Sequence, residues 1–530
     1  MKEKMFLSGN EAIALGAYEA GVKVGAGYPG TPSTEILENL CNCPGVNTEW
    51  SINEKVGLEV AYGAAISGAR ALATMKHVGL NVAADPLFTA SYTGIKAGLV
   101  VVVADDPGMH SSQNEQDSRN YARAARIPML EPSDSVEAKE FTKLAFDLSE
   151  QYDTPVIIRT TTRLSHSMGI VPSGERVEKA VHGFTKEIPK YVMIPLYAKR
   201  RRIIVEERMK KMQDRCNSFE INRVSEGDGN FGVICSGTVY TYVKECYPDI
   251  PVLKLGMVYP LPFNLIKEFC AKYKIVYVIE ELDPFFETEI KAMGIKVSGK
   301  DIFPAIGEYS PEIIRSGISG ELPESRPVAV SLPPRPPALC PGCPHRMLYE
   351  VLRDKELDVI GDIGCYSLGT LPPFSAMHTL LDMGAGFTVA QGIEMAGGKE
   401  ACRKMVGLMG DSTFAHSGIT GLFNAAYNKR HSLLIVLDNG TTAMTGLQPN
   451  PLSGATITGS ETTPIDYVKL GEAAGMDKSD IQIVNAYNKD EISKTIDTLL
   501  ASDKLSLMVV KGPCIILKKR IARSSTKGEK

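Results

Sequence analysis

Three residues in the last third of the chain carry oxygen atoms suited to a magnesium ion. Asp411 has a carboxylate, Asn439 has an amide oxygen, and Thr441 offers its backbone carbonyl. Hard cations such as Mg²⁺ prefer oxygen ligands, keep several waters and clasp phosphate groups. The residue types therefore predict a magnesium site that holds a phosphorylated molecule.

Two short apolar runs must position these residues. Residues 405–409 and 432–437 each predict a buried strand, and 416–429 between them has the apolar spacing of a helix. A strand–helix–strand unit implies neighbouring parallel strands joined by a right-handed crossover. Asp411 and Asn439 would then emerge side by side at the carboxyl ends of their strands, where open parallel sheets bind ligands.

The spacing of these residues resembles a known cofactor motif. Gly410-Asp411-Ser412, followed after 26 residues by Asn439, is similar to the thiamine-diphosphate motif of Gly-Asp-(Gly/Ser) and a distant Asn. Gly410 and Gly440 would let the backbone approach the diphosphate closely. The alternative is two strands that end in common turn residues, and this pattern alone leaves it open.

A glutamate in the first domain could serve the same cofactor. Glu54 is predicted to lie where a strand gives way to a helix of small residues, and a lone glutamate there is usually a favourable partner of the helix dipole. Asn53-Glu54, with Ala61, Gly63 and Ala64 beyond it, resembles the element of thiamine enzymes whose carboxylate activates the pyrimidine ring.

A second loop of the first domain opens a helix at residues 29–34, Pro-Gly-Thr-Pro-Ser-Thr. Its proline and hydroxyl groups are expected to cap that helix and leave free N–H groups for solvent or an anion. An ordinary capped turn is the simpler interpretation.

Composition excludes several classes of function. The 530 residues are 44% hydrophobic and 23% charged, as in ordinary globular proteins. A net charge of −4 argues against nucleic acid as the main partner. No apolar run is long enough to predict a membrane span, and the N-terminus does not read as a signal peptide. Eleven cysteines without such a signal indicate a reducing, cytoplasmic location.

The chain is predicted to contain three α/β domains with strands throughout. Strands are predicted at 22–28, 71–76, 98–104, 155–159, 231–235, 252–255 and 275–280, and a first helix at 9–20. The predicted divisions are 1–165, an α/β domain; 166–230, a connector with a charged, solvated helix; 231–332, a second α/β domain; 338–517, a third; and 518–530, a basic tail. Residues 332–337 are rich in proline and predict a stiff linker. The basic segment 199–211 could alternatively form an anion-binding surface.

Four cysteines suggest a metal centre. Cys340 and Cys343 form a Cys-x-x-Cys pair, whereas Cys365 and Cys514 lie far along the chain. Four thiolates suit a tetrahedral zinc or an iron–sulfur cluster. Spacing cannot assign the two distant cysteines, so zinc and free buried cysteines remain open.

Several motifs in one order resemble the indolepyruvate ferredoxin oxidoreductase alpha-subunit family, within the 2-oxoacid:ferredoxin oxidoreductases. The segments are 28–32 (Tyr-Pro-Gly-Thr-Pro), 53–55 (Asn-Glu-Lys), 75–81 (Met-Lys-His-Val-Gly-Leu-Asn), 105–108 (Asp-Asp-Pro-Gly), 340–346 (Cys-Pro-Gly-Cys-Pro-His-Arg), 361–366 (Gly-Asp-Ile-Gly-Cys-Tyr), 410–412 (Gly-Asp-Ser) and 438–446 (Asp-Asn-Gly-Thr-Thr-Ala-Met-Thr-Gly). They span nearly the whole chain.

This resemblance implies a fold and a set of roles. It implies an α/β thiamine-diphosphate-binding fold, with parallel-sheet pyrimidine and diphosphate domains and a smaller domain between them that is similar to the transketolase C-terminal domain. Glu54 would activate thiamine diphosphate, and Thr31 would approach the substrate. Asp411, Asn439 and the Thr441 carbonyl would hold Mg²⁺. The four cysteines, Cys340, Cys343, Cys365 and Cys514, would hold a 4Fe–4S cluster.

The resemblance also implies substrates and partners. The reaction would be oxidative decarboxylation of an aryl 2-oxoacid with coenzyme A, and the electrons would pass to ferredoxin or another acceptor. A beta subunit would complete a hetero-oligomer.

One feature departs from the family. Its alpha subunit continues into a ferredoxin-like domain with repeated Cys-x-x-Cys-x-x-Cys runs, whereas no cysteine follows Cys514 in this sequence. Electron exit is therefore expected to use another chain or another route, and indolepyruvate as the particular substrate is less strongly indicated. A non-oxidative thiamine decarboxylase is the main alternative. A non-catalytic subunit is disfavoured because Glu54, Asp411 and Asn439 are all present.

Overall fold

The computed structural model of the protein describes residues 3–321, 333 and 336–527. The chain divides into two compact units, Met1–Pro327 and Val328–Lys530. The finer division of the first unit into domains stays a prediction. Of the predicted proline linker, Leu332, Pro334 and Arg335 lie outside the described residues.

The described residues of the first unit form three sheets. Its strands are β1 (Lys4–Ser8), β2 (Val24–Gly27), β3 (Asn47–Trp50), β4 (Ala71–Lys76), β5 (Leu99–Asp105), β6 (Met129–Leu130), β7 (Val156–Thr161), β8 (Met168–Pro172), β9 (Arg223–Ser225), β10 (Phe231–Ser236), β11 (Val252–Leu255), β12 (Met257–Tyr259) and β13 (Ile275–Ile279). Its helices are α1 (Gly9–Glu19), α2 (Thr34–Leu40), α3 (Glu54–Ile66), α4 (His77–Val82), α5 (Ala84–Thr93), α6 (Arg119–Ala125), α7 (Ser135–Tyr152), α8 (Thr162–His166), α9 (Ile188–Tyr191), α10 (Pro195–Cys216), α11 (Gly237–Cys246), α12 (Phe263–Cys270), α13 (Phe285–Ala292) and α14 (Pro311–Ser319).

The largest sheet has seven strands in the order β12-β6-β7-β5-β4-β2-β3. All pairs are parallel except β12 with β6. Strands β4, β5 and β7 are buried along their whole length, which is why they read as continuous apolar runs in the sequence. The strands predicted in this region are confirmed, and the carboxyl ends of β3, β2, β4, β5 and β7 lie in that order along one edge.

Two smaller sheets complete the first unit. Strand β1 pairs with β8 antiparallel, so the residues just beyond 165 pair with the start of the chain. The four-stranded sheet has the order β13-β10-β11-β9. In this sheet β10 is parallel to both β11 and β13, which confirms the predicted α/β character of this segment.

Helix α10 contains the basic segment of the predicted connector. Arg201 and Arg208 are buried. Arg201 donates to the carbonyl of Tyr92 and Arg208 donates to those of Ser91 and Asp153. The prediction of a solvated helix is therefore wrong for these two arginines, because their charges bind backbone oxygens of the first α/β domain.

The second unit is built on one sheet. Its strands are β14 (Asp358–Ile360), β15 (Met405–Gly410), β16 (Leu433–Asp438), β17 (Ile481–Asn485) and β18 (Ser506–Lys511). Its helices are α15 (His345–Asp354), α16 (Ala385–Cys402), α17 (Asp411–Thr413), α18 (Ile419–Tyr427), α19 (Tyr467–Ala473), α20 (Lys489–Leu500) and α21 (Ile515–Lys527), with 3-10 turns at Cys365–Thr370 and Lys478–Asp480. The strand order is β14-β15-β16-β18-β17, and every pair is parallel.

The connection from β15 to β16 confirms the predicted strand–helix–strand unit. Its helical part begins at Asp411 rather than at residue 416, because α17 runs through a π-helical turn, Phe414–Gly418, into α18. Asp411 therefore sits at the first helical position, directly after the buried strand. No helix within the described ranges is long and apolar enough to cross a membrane.

Candidate active site

The second unit brings Asp411, Asn439 and Thr441 together at the carboxyl ends of β15 and β16. Asp411 Oδ2 and Asn439 Oδ1 both accept from the Thr441 N–H, at 3.1 Å and 3.0 Å. All three residues are buried. The set provides one charged and two neutral oxygen donors, so its chemistry fits a magnesium ion.

The electrostatics of this corner favour a cation. Burial, together with the neighbouring carboxylate of Asp438, raises the pKa of Asp411 to about 7. Asp438 is paired with Lys511 at 3.4 Å and accepts from the Gly440 N–H. A divalent ion bound to Asp411 would offset the free-energy cost of keeping the Asp411 carboxylate charged while it is buried beside Asp438.

The two glycines of the motif have different surroundings. Gly440 has a φ of +76°, and a Cβ there would meet nothing within 4 Å, so its backbone faces open space. A Cβ on Gly410 would instead lie 2.6 Å from the Tyr366 ring. Glycine is thus required at Gly410 by the neighbouring tyrosine, and the expected approach of its backbone to a diphosphate stays a prediction. Ser412 lies beside Thr442, with their hydroxyl oxygens 2.8 Å apart.

The four candidate cysteines lie at the same end of this sheet. The Cys514 N–H donates to the Asn439 carbonyl at 2.9 Å, which places the last cysteine beside a candidate metal ligand. Burial, together with charges on Cys343, Cys514 and Cys340, raises the pKa of the Cys365 thiol to about 12. The structure therefore groups four thiols that are distant in sequence.

The loop that carries Cys340 and Cys343 is packed onto the segment that carries Cys514. A Cβ on Gly342 would lie 3.1 Å from the Ile515 side chain, and one on Gly512 would lie 3.0 Å from Pro344 Cβ. This packing explains how the Cys-x-x-Cys pair meets the late cysteine.

The arrangement of the thiols bears on which metal group they fit. Over residues 3–321, 333 and 336–527, no three His, Cys, Asp or Glu side chains are placed to hold a metal ion. Four thiolates match the ligand number of a tetrahedral zinc ion and that of a 4Fe–4S cluster, which takes one thiolate on each of its four irons, so both groups stay open at these thiols.

A buried histidine links the Cys340–Cys343 loop to the candidate magnesium ligand Asn439, and the motifs assigned no role to this histidine. His345 follows Cys343 by two residues, and its Nε2 lies 3.3 Å from Asn439 Nδ2. Burial lowers the pKa of His345 to about 4, so the ring is neutral. A neutral ring nitrogen can accept from the amide, which fixes the Asn439 oxygen toward the Thr441 side. The only sequence signal was its place in Cys-Pro-Gly-Cys-Pro-His.

A tyrosine and an aspartate position the Gly-Cys turn. The Tyr366 hydroxyl donates to Asp362, and Asp362 Oδ2 accepts from the N–H groups of Gly384 and Gly386 at 3.0 Å and 3.3 Å. Burial raises the pKa of Asp362 to about 7. The turn that carries Cys365 is therefore attached to the start of α16 by a buried polar network.

In the first unit, Glu54 occupies the first position of α3. Asn53 caps the helix by accepting from the Val56 N–H at 3.0 Å. Glu54 is buried, and a Cβ on Gly79 would lie 2.6 Å from both its Cγ and its Oε1. The predicted junction of strand and helix is confirmed, and α4 presses against the glutamate through a residue without a side chain.

Thr31 lies in the loop after β2, the strand that pairs with β3 and ends at the same edge of the sheet. The loop is fixed by Asn10, which donates to the Pro32 carbonyl at 2.6 Å. Ser33 occupies the N-cap position of α2, but its hydroxyl donates to the Gly30 carbonyl instead of accepting from the helix. The expected hydroxyl cap is therefore absent at Ser33. Thr31 itself is half-buried.

Comparison with known families identifies the class. Residues 362–510 match the thiamine pyrophosphate enzyme C-terminal TPP-binding domain. Residues 15–217 match the pyruvate flavodoxin/ferredoxin oxidoreductase thiamine-diphosphate-binding domain. A 2-oxoglutarate:ferredoxin oxidoreductase from Magnetococcus marinus shares the fold, with a TM-score of 0.52 and 18% identity over 60% of this chain and 65% of that one. The chain is a thiamine-dependent oxidoreductase of the α/β thiamine-binding fold.

The full-length relatives narrow the class. The chain is 42% identical to the indolepyruvate oxidoreductase subunit IorA of Archaeoglobus fulgidus, over 99% of this chain and 89% of the relative. It is 43% identical to the IorA subunit of Methanothermobacter thermautotrophicus, over 97% and 87%. The chain belongs to the family of indolepyruvate oxidoreductase IorA subunits, as its sequence motifs predicted. The roles of individual site residues stay predictions.

Removing the candidate magnesium ligands should weaken cofactor binding unequally. We expect Asp411→Ala to raise the Kd of thiamine diphosphate on the order of 100-fold in the presence of Mg²⁺, because the ion loses its charged ligand. Asn439→Ala, which removes a neutral ligand, should raise it about 10-fold. Titration by calorimetry with and without Mg²⁺ measures both.

The matched control for these variants is Asp477→Ala, an exposed aspartate of the same unit that pairs with Lys504. It should leave the affinity unchanged. Wild-type affinity in both Asp411→Ala and Asn439→Ala would remove the site from consideration.

Proposed function

We propose that this chain is the alpha subunit of an enzyme that oxidatively decarboxylates an aryl 2-oxoacid, with indolepyruvate the first candidate. Coenzyme A accepts the acyl group, so the products are an aryl-acetyl-CoA and CO₂. The aryl substrate is supported by the names of relatives that match almost the whole chain. A beta subunit completes the hetero-oligomer. The location is cytoplasmic, which suits the eleven free cysteines of the structure.

In this proposal the cofactors supply the electron chemistry and the chain orients them. Asp411, Asn439 and the Thr441 carbonyl hold Mg²⁺ on the diphosphate, with Ser412 beside them. Thiamine diphosphate, when bound, would supply an electron sink for the pair that is released as the carboxylate leaves. Glu54 holds and moves the proton on the pyrimidine ring. Thr31 borders the substrate.

One observation supports the oxidative reaction: the four cysteines and the candidate magnesium ligands lie at the same end of one sheet. Cys514 donates its N–H to Asn439, and His345, two residues after Cys343, contacts the same side chain. A 4Fe–4S cluster on the four thiolates would stand near the metal-bound diphosphate, where it can take electrons singly. From there they pass to ferredoxin or another acceptor.

The proposal is tested on the chain co-purified with its beta subunit under anaerobic conditions. We expect indolepyruvate to reduce a viologen dye only when thiamine diphosphate, Mg²⁺ and coenzyme A are all present. One aryl-acetyl-CoA should form for every two electrons transferred. Release of the aryl acetaldehyde, with no dye reduction and no dependence on coenzyme A, would instead establish the non-oxidative decarboxylase.

A further inference from the structure

A buried lysine lies on the strand end between the loops of Thr31 and Asp106. Lys76 ends β4 and is 8% exposed. Its stem passes along the loop after β2, because a Cβ on Gly30 would lie 3.0 Å from Lys76 Cβ. Its ammonium group donates to the carbonyl of Ser111, in the loop after β5. The positive charge is therefore held at the carboxyl edge of the sheet.

Within the described part of the chain, this charge has no counter-ion at contact distance. None of the described carboxylates forms an ion pair with Lys76, and Asp106 acts on it only from further away. The oxygens of Asp106 accept instead from Ser111 N–H and from the hydroxyls of Ser112 and Thr162. Burial accordingly lowers the pKa of Lys76 to about 8. A buried ammonium without an ion pair is costly, and an arriving anion would offset that cost.

The position of Lys76 connects it to the candidate catalytic residues. Strands β3, β2 and β4 are neighbours, and their carboxyl ends lead to Glu54, to Thr31 and to Lys76. From Lys76 the chain runs into α4, where Gly79 abuts the Glu54 carboxylate. One edge of the sheet thus presents a carboxylate, a hydroxyl and an ammonium group in that order.

We propose that Lys76 binds the carboxylate of the 2-oxoacid substrate. This inference rests on the proposed function, since it requires a substrate that carries a carboxylate next to its keto group. Lysine suits the role because its compact charge and three donors give short, charge-assisted hydrogen bonds to an anion. A buried cation that already stands at the edge binds the anion without rearrangement of the strands.

The chemistry of the step determines which kinetic constant depends on Lys76. When the bond between the carboxylate and the keto carbon breaks, the electron pair of that bond stays with the former keto carbon. CO₂ therefore leaves without charge. The attraction to Lys76 is therefore strongest in the bound substrate and fades as the reaction proceeds. An interaction of that kind lowers KM more than it raises kcat.

The test is Lys76→Met in the holoenzyme with its partner subunit. Methionine keeps the length of the side chain and removes the charge. We expect KM for indolepyruvate and for phenylpyruvate to rise about 30-fold or more, the size found when one partner of a buried charge pair is lost. Affinity for thiamine diphosphate, measured by calorimetry, should not change. Lys76→Arg, which keeps a cation of a different shape, should recover part of the loss.

Lys55→Met is the matched control. Lys55 is the exposed residue next to Glu54 in α3 and pairs with Glu59. Its removal changes the net charge equally and should leave KM unchanged. A wild-type KM in Lys76→Met, or a lower kcat at unchanged KM, would overturn the assignment of the carboxylate to Lys76.

A wild-type measurement covers the case in which Lys76→Met does not fold. The methyl ester of indolepyruvate lacks the negative charge. Its inhibition constant for the wild-type enzyme should therefore be at least 30-fold higher than the dissociation constant of the acid. Equal affinity for ester and acid would overturn the inference without any variant. If the wild type turned over no 2-oxoacid at all, the proposed function would fail first, and the two failures remain distinguishable.

Discussion

Glu54→Gln is expected to lower turnover by about 100- to 10,000-fold while thiamine diphosphate still binds. The range is that of a positioned general acid or base, and the amide can neither accept nor return a proton at the pyrimidine ring. The substitution changes the size of the side chain very little, so α3 and its Asn53 cap should persist. Steady-state kinetics give the loss in kcat, and calorimetry gives the cofactor affinity. Exchange of the thiazolium proton with deuterium, followed by NMR, reports the activation step without any substrate.

Two further variants separate the proton from the packing. Glu59→Gln changes an exposed glutamate five residues along the same helix, whose ion pair is with Lys55, and should retain full activity. Gly79→Ala keeps the Glu54 side chain unchanged but adds a methyl group whose carbon would lie 2.6 Å from Oε1. It should lower kcat because the carboxylate must move. Turnover of Glu54→Gln within twofold of the wild type would end the assignment.

The sequence could predict the strands because parallel strands are buried on both faces. The apolar run 405–409 corresponds to Met405–Gly410, and 71–76 corresponds to Ala71–Lys76. Their order along the chain then placed Asp411 and Asn439 together, since strands of one crossover unit end at the same edge. That inference needs only local patterns and one topological rule.

Contacts that depend on tertiary packing could not be predicted in the same way. Ser33 looked like a helix cap, but a nearby carbonyl takes its hydroxyl. Gly410 has a second requirement for glycine that its motif does not show, since a Cβ there would lie 2.6 Å from the Tyr366 ring. Arg201 and Arg208 looked solvated, but the carbonyls at the end of α5 were within reach. The partners of Gly410, Arg201 and Arg208 are far away in sequence, whereas the carbonyl that accepts from Ser33 is only three residues away.

Lys76 illustrates a signal that spacing cannot supply. A lysine at the end of an apolar strand usually reaches solvent, because its stem is long enough to carry the charge outward. Here the loops after β2 and β5 close over it, and Ser111 takes one donor. Only the structure shows that the charge stays inside and lacks a counter-ion.

The four thiols are the other feature that no spacing rule could assemble. Cys365 lies in a 3-10 turn held by Tyr366 and Asp362, whereas Cys514 follows β18 and starts α21. Their approach depends on the packing of Gly342 against Ile515 and on the strand order of the sheet. If the group holds one cluster, Cys365 and Cys514 each bind a different iron of that same cluster.

Cys365→Ala and Cys514→Ala should therefore each lose the whole cluster. Each removes one of four thiolate ligands, and a cluster missing a ligand is expected to be lost during purification. Because no role toward thiamine is assigned to either cysteine, each variant should still bind thiamine diphosphate. Cys402→Ala is the matched control, since its buried thiol lies beside Ser432 and is not a member of the group. It should keep full iron content.

Iron and sulfide analysis, with low-temperature EPR of dithionite-reduced protein prepared anaerobically, measures the outcome. We expect about four irons per chain in the wild type and in Cys402→Ala, and little or none in the other two. The wild type and Cys402→Ala should reduce the dye, whereas Cys365→Ala and Cys514→Ala should not, because they lack the cluster that transfers the electrons. Zinc in place of iron, or iron retained in either Cys365→Ala or Cys514→Ala, would contradict the cluster. The non-oxidative decarboxylase, which needs thiamine diphosphate and Mg²⁺ but no electron acceptor, would then be the better account of this chain.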